Sequence, residues 1–484
     1  MPTPAQREIP PEKALPLCSE KASGLLRRLG LFDATMLVMG GIIGTGIFVV
    51  PQLVAQQVHS AASMMAVWLT GGCVAICGAL VYAELTARYP EVGGQYTYLR
   101  EAYHPIIAFL FGWGLLLVMQ TGAVASVAIV FARYFMDMVR LPVSEGIVAG
   151  GAIAILTLVN CFGVRTGSTV QNVFMVSKIA VIGLLVGAGL YYGNRTSPHV
   201  IAVPHSTNNL LIDGSAALVP VLFTYSGWQA AGFMSGEVRN PRRNMPLATV
   251  LGVIGVITLY CLVNLVDVWV LGADRLASSN APASAVMWFV LGSRGAAIIS
   301  VGIMIAALGY ISQASLTAPR VYYAMANDGV FFRGLAWLSP NSHVPVRAIL
   351  LQGVFAIVIA FSGRYDQILN YVMSVEFSFF CLTGISIFIF RKRAARETQQ
   401  AGAPSARSGR ALYEMPGHPF TTILFVGICA AVSINMMIVN PMNNLIGMTL
   451  VLTGVPVFFM WKRTNRQRKD VAPTIAPASH STSE

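Results

Sequence analysis

Charge is what this sequence has least of. Asp, Glu, Lys and Arg together make up 11% of its 484 residues, against about 25% in ordinary soluble domains, and residues 34 to 83 and 415 to 461 contain none of the four. So few charged side chains cannot clothe a water-soluble surface. The apolar residues, 55% of the chain with a mean hydropathy of +0.65, run in long blocks. Such blocks describe a helical membrane protein, whereas a transmembrane barrel needs short alternating segments. Also missing are a disulfide frame and a metal site. Of the seven cysteines, Cys73, Cys77, Cys161, Cys261, Cys381 and Cys429 lie inside apolar blocks and only Cys18 lies outside them, the usage of small hydrophobes. Cys73 and Cys77 are one helical turn apart without His or carboxylate companions. No convincing nucleophile–base pair, phosphate-binding loop or His cluster is present either, so neither an enzyme nor a cofactor is expected.

The net charge of +12 raises the question of nucleic acid, but the charge sits in connecting loops and tails, where membrane orientation explains it and no nucleic-acid partner is needed. At roughly 20 residues per crossing, residues 34 to 83 hold two spans with a turn near His59 to Ala61, and residues 415 to 461 hold two more, split near Asn440 to Asn443. Apolar blocks centred on 104–136, 146–163, 169–192, 214–236, 245–271, 295–322, 346–363 and 367–390 bring the count to twelve. The stretch 283 to 292 is too short to cross and reads as an interfacial helix. With the N-terminus inside, 25 basic residues fall on cytoplasmic segments and six outside, the positive-inside bias expected of a correct count and orientation. The first 30 residues lack a signal-peptide core and read as a cytoplasmic tail; residues 464 to 484, polar and rich in Ser, Thr, Pro and Ala, read as a disordered one.

Two spans carry weak points at mid-depth. The first contains Gly40-Gly41-Ile42-Ile43-Gly44-Thr45-Gly46, four glycines in seven residues. Each interior glycine costs about 1 kcal/mol relative to alanine, and unwound backbone at that depth is tolerable only beside a cavity. Close packing through a small-xxx-small face, Gly40 and Gly44, is the alternative. The sixth span contains Phe223-Thr224-Tyr225-Ser226-Gly227-Trp228, with Ser-Gly at a similar depth. Both spans open with an aspartate, Asp33 and Asp213, 180 residues apart. Interrupted helices at matching positions of two halves point to an inverted-repeat secondary transporter with its site near the midplane. The halves are residues 31–193 (helices 1–5) and 211–393 (helices 6–10), with helices 11 and 12 in 415–463. Freed N–H groups can hold a carboxylate and freed carbonyls an ammonium, the two ends of an amino acid substrate. The N–H groups around Gly44, Thr45 and Gly46 are therefore assigned to the carboxylate, and the carbonyls of Ile42, Phe223 and Ser226 to the amine, with Ile43 in the same segment. Trp228, Tyr225 and Phe223 either wall an apolar or aromatic pocket or form ordinary aromatic core. The break segments contain no carboxylate, which favours neutral side chains.

At these residues the sequence resembles the amino acid-polyamine-organocation superfamily, within it the L-type amino acid transporter branch and its bacterial relatives. The matching segments are Gly41 to Phe48, Phe223 to Trp228, Tyr82-Ala83-Glu84-Leu85 with Tyr89-Pro90 and Gly93-Gly94-Gln95-Tyr96, and Glu237 to Pro241 followed by Arg243 to Pro246. The resemblance runs from about Gly30 to Arg463. It implies an all-α membrane protein with a leucine-transporter-like five-plus-five inverted repeat, discontinuous helices 1 and 6, and alternating-access transport of amino acids. It also implies a role for Lys178: this residue resembles the fifth-span lysine of sodium-independent relatives, whose ammonium stands in for a sodium ion and ties span one to span eight. Residues 137 to 145 lack the cysteine through which eukaryotic members attach a glycoprotein, so no disulfide-linked heavy subunit is expected, and a monomer in the lipid bilayer is the simplest state. Ser312-Gln313 stands where many relatives carry Asn-Gly.

Deep charges deserve separate treatment because each costs at least about 2.5 kcal/mol at mid-bilayer. Lys178 lies 13 residues past Arg165, roughly 20 Å at 1.5 Å per residue. Glu376, on span ten, is either a proton carrier or a structural acceptor for neighbouring hydroxyls or backbone. Glu84 and Glu237 sit beside Arg88 and Arg239 and read as gate or loop salt bridges, and Asp267 as a solvated residue near the outer end of span seven. The leading expectation is sodium-independent uptake or exchange of neutral L-amino acids at the cell membrane, with proton-coupled symport of amino acids or polyamines as the alternative.

Overall fold

The computed structural model describes residues 25–140, 142–193, 210–279, 281–362, 365–400 and 413–471. Most of the expected N-terminal tail (residues 1–24), Cys18, Arg195, Arg364, the middle of the basic loop after span ten (401–412) and residues 472–484 of the C-terminal tail lie outside them. The architecture is helical, and among the described residues the one strand-like pairing is an isolated parallel bridge between Leu29 and Val238.

Helix α1 (Leu31–Ile42) and α2 (Gly46–Val58) are bent by 42° at the glycine cluster. Left-handed His59, with φ of 45°, ends α2, and Ser60 caps α3 (Ala61–Arg88), so the expected turn lies where the charge-free run has its polar residues. Short α4 (Gln95–Ala102) precedes α5 (Pro105–Gly114) and α6 (Gln120–Val139), which are joined by a π-helical turn at Leu115–Met119. Then come α7 (Glu145–Cys161), α8 (Val164–Gly193) and α9 (Leu210–Tyr225), followed by a 3-10 segment, Trp228–Glu237. Helix α10 (Pro241–Ser278) turns at Gly272 and α11 (Pro282–Thr317) at Gly292, both at positive φ. Gly292 therefore sets the stretch expected as a separate short helix apart from the crossing that follows. The remainder are α12 (Pro319–Asn327), α13 (Val346–Ala360), α14 (Tyr365–Gln400), α15 (Phe420–Val439), α16 (Pro441–Leu452) and α17 (Gly454–Val471). Asn440 separates α15 from α16, as expected.

Among the described residues, eight helical stretches are long and apolar enough to cross a bilayer, nine with the bent α1–α2 pair, and α7 and α13 are shorter apolar helices. Exposed Ile155, Val358, Ile438 and Phe420 fit a lipid-facing rim, because an apolar solvent removes the penalty on outward hydrophobes. The chain is a multi-pass membrane protein. Its centre is built by α1 packed on α10 and α8, α2 on α9 and α10, and α11 on α8.

Candidate functional site

Both weak points are breaks. At the first, Ile43 is extended (φ −76°, ψ 93°) and its N–H still donates to Met39 O, while the Gly44 N–H turns back to Ile42 O at 2.9 Å. Thr45 and Gly46, at the start of α2, donate to no backbone carbonyl outside the helix among the described residues. At the second, Ser226 N and Oγ both donate to Phe223 O (3.0 and 2.8 Å), and Gly227 sits at φ 112°. The two breaks meet through bare backbone: a Cβ on Gly227 would stand 2.2 Å from Gly41 O, and one on Gly41 would stand 2.7 Å from Gly227 O. Glycine is required at both places. Close packing operates too, since a Cβ on Gly40 would stand 2.0 Å from Gln171 Nε2 on α8. A Cβ on Gly44 would instead meet the Tyr310 ring at 3.6 Å, an ordinary contact.

Lys178, 1% exposed, donates from Nζ to Ile43 O at 2.6 Å. On its other side is Gly309 of α11, where a Cβ would meet Lys178 Cε at 2.6 Å. The ammonium thus lies between the first break and α11, and the missing side chain of Gly309 makes its room. Sequence reasoning missed Tyr260 of α10. Its hydroxyl lies 3.1 Å from Ile42 O and 3.4 Å from Thr224 O, so one donor spans the two breaks; a tyrosine inside an apolar run carries no local signal of this.

The substrate-contact assignments meet a constraint here. The carbonyls of Ile42 and Phe223 each already accept two hydrogen bonds, and the Gly44 N–H is used by Ile42. Among the described residues, the Thr45 and Gly46 N–H groups and the Ser226 carbonyl carry no such engagement. Of the aromatic candidates, Tyr225 and Trp228 are 1% and 3% exposed. Tyr225 packs with Tyr260 and Trp68, and Trp228 stacks on Phe380 at 5.5 Å. Phe223 is half-buried.

Three expectations about charges need correction. Glu237 pairs not with Arg239 but with Arg320 of α12 at 2.8 Å, both side chains fully buried, and Arg320 also donates to Leu316 O. Arg239 is exposed and uses its N–H on Leu29 O at 2.8 Å. Together with Arg28 and Leu29 N–H donating to Glu237 O, this latches the end of the 3-10 segment to the lead-in of α1. Asp267 is not solvated: it is 1% exposed, and its Oδ1 has no hydrogen-bond partner among the described residues. Glu376 accepts neither a hydroxyl nor a backbone donor in the described hydrogen bonds but the Gln229 amide, at 2.7 Å. Glu84 does pair with Arg88, as expected, and in addition with Arg391 and the Met415 N–H, tying α3 to α14 and the segment before α15.

Residues 29 to 461 match the family model described as amino acid permease. The chain belongs to the amino acid permease family. It is a transporter rather than an enzyme. The chain is 28% identical over 447 residues to the serine/threonine exchanger SteT of Bacillus subtilis (strain 168), covering 91% of this chain and 98% of that protein. It is 30% identical over 401 residues to the b(0,+)-type amino acid transporter 1 of Mus musculus, covering 80% and 81%. The human cystine/glutamate transporter is 24% identical over 447 residues, with 90% and 85% covered. The family match over residues 29 to 461 takes in both breaks, Lys178 and the Glu237–Arg320 pair.

Proposed function

We propose that this permease moves amino acids across the cell membrane by sodium-independent alternating access, as uptake or exchange. The observation that carries the reading is the Lys178 nitrogen on the Ile43 carbonyl, wedged against Gly309: a side chain of the protein holds the broken helix where a bound ion would otherwise be needed. The substrate carboxylate goes to the Thr45 and Gly46 N–H groups, beside the positive end of α2. The amine goes to the Ser226 carbonyl first, and to those of Ile42 and Phe223 only by displacing their present donors. Twelve crossings, a five-plus-five inverted repeat over 31–193 and 211–393, both termini in the cytoplasm, and a monomer without a disulfide-linked subunit complete the reading. The amino acid substrates named in the relatives' descriptions support it.

Reconstitution into liposomes tests it, with radiolabelled amino acids screened with and without internal amino acid, sodium and a pH gradient. Flux that needs sodium would overturn it. Proton-coupled symport is the second reading, favoured by the Glu376 carboxylate at the second break; it requires uptake driven by the pH gradient alone. Neither break segment contains a carboxylate, and Glu376 lies outside both, on α14.

A further inference from the structure

Glu376 lies in the first half of α14 (Tyr365–Gln400), and its side chain reaches the second break. Gln229 Nε2 donates to Glu376 Oε1 at 2.7 Å, and the same amide accepts the Gly227 N–H at 3.1 Å through its Oε1. The carboxylate therefore stands beside the second break.

It is also short of partners. A carboxylate offers about four acceptor positions; among the described residues one donor, Gln229, reaches this one, and no ion pair does. The buried ammonium of Lys178 is committed to Ile43 O. Glu376 is half-buried, while its neighbours Val375 and Phe377 are 0% and 2% exposed. The side chain points to an amide of the 3-10 segment, inward and not to lipid, and still keeps part of its surface uncovered. An ionised group left in such a place without a counter-charge is costly. A cation arriving with the substrate removes that cost.

We propose that Glu376 receives the side-chain cation of the substrate, so that the transported class is amino acids bearing a second ammonium or a guanidinium, such as lysine, ornithine and arginine. This rests on the transport reading above and names its substrate class. The zwitterionic head stays on the breaks, and Glu376 selects the far end. The Gln229 bridge places the selecting carboxylate at a fixed distance from Gly227, hence from the head group.

Purified full-length protein in proteoliposomes tests this with matched labelled substrates: lysine against norleucine, which differ in the terminal charge, and cadaverine, which lacks the carboxylate. The wild type is expected to take up lysine at least about tenfold faster than norleucine at equal low concentration, since sites built around a polar group discriminate by that factor or more. Cadaverine is expected to compete poorly. Glu376→Gln is expected to bring the lysine to norleucine ratio to one or below, and Glu376→Asp to keep it above one. The wild-type ratio decides the question even if a variant fails to fold. Norleucine uptake with no lysine uptake overturns the cation proposal and leaves the transport reading standing, as does a Glu376→Gln protein that loses pH-driven flux but keeps its ratio. Cadaverine moved as well as lysine refutes the head-group assignment and leaves Glu376 as the amine's partner. No uptake of any amino acid sinks both.

Discussion

Replacing Lys178 by methionine keeps the side chain as far as Cε and removes the charged nitrogen beyond it. In the structure this deletes a 2.6 Å bond from Nζ to Ile43 O and leaves the space beside Gly309 filled. Hydrogen bonds to charged groups contribute about 1.5–3 kcal/mol, and each 1.4 kcal/mol is tenfold. The bent arrangement at Ile43 should therefore lose roughly 10- to 150-fold of its advantage, and transport with it. Stability moves differently. Burying a lysine at this depth costs at least about 2.5 kcal/mol on insertion scales, which the methionine does not incur, so expression and the unfolding temperature in detergent should hold or rise. A rise or plateau in stability with uptake down at least tenfold separates a mechanistic lysine from a structural one. Uptake by Lys178→Met within twofold of wild type would refute the reasoning, because the ammonium could then not be holding the break.

The same geometry makes other expectations. Gly227→Ala puts a Cβ 2.2 Å from Gly41 O on backbone at φ 112°, and a loss of at least about 2 kcal/mol is expected in thermal unfolding. Tyr260→Phe removes the hydroxyl between Ile42 O and Thr224 O but keeps the ring stack on Tyr225; a loss of about 1 kcal/mol should appear as several-fold slower uptake with unchanged protein yield. Arg320→Met strands the buried Glu237 carboxylate and should cost about 3–5 kcal/mol, part of which Arg320→Met/Glu237→Gln should restore in a double-mutant cycle. A cycle with additive losses would mean that the pair is not coupled.

What could be read from the chain follows the range over which each signal acts. The breaks were legible because Gly44, Gly46, Ser226 and Gly227 weaken a helix by their own chemistry, whatever surrounds them. Lys178 was legible because a single charge in an apolar block is conspicuous. The partners were not. Arg320 is 83 residues from Glu237, so the nearby Arg239 was the natural guess, and only tertiary packing sends that arginine to the surface. Asp267 was read as solvated from its place near a helix end, but burial depends on which helices close over that end, and these close completely. Tyr260 and Gln229 carry the most geometry at the breaks and the least sequence signal, since a tyrosine or an amide in a helix is ordinary until its neighbours are known.

The segment Trp228–Glu237 joins these facts into one mechanical argument. It begins at the second break, where Gly227 lies on Gly41, and ends at Glu237, whose carboxylate is held by Arg320 and whose carbonyl is held by Arg28 and Leu29. Ten residues of 3-10 helix are unusually long, because that geometry has poorer hydrogen bonds than an α-helix. A segment wound this way lengthens or shortens by about 0.5 Å per residue on conversion between the two forms, or roughly 5 Å over its ten residues. Both ends being fixed to the α1 strand of chain, at Gly41 and at Leu29, such a change cannot occur without moving α1 or breaking the latch. The break at Gly227 and the latch at Glu237 are therefore not independent features: rewinding Trp228–Glu237 with the Arg320–Glu237 pair intact must pull on Gly227 and hence on the contacts around Ile42 and Thr224.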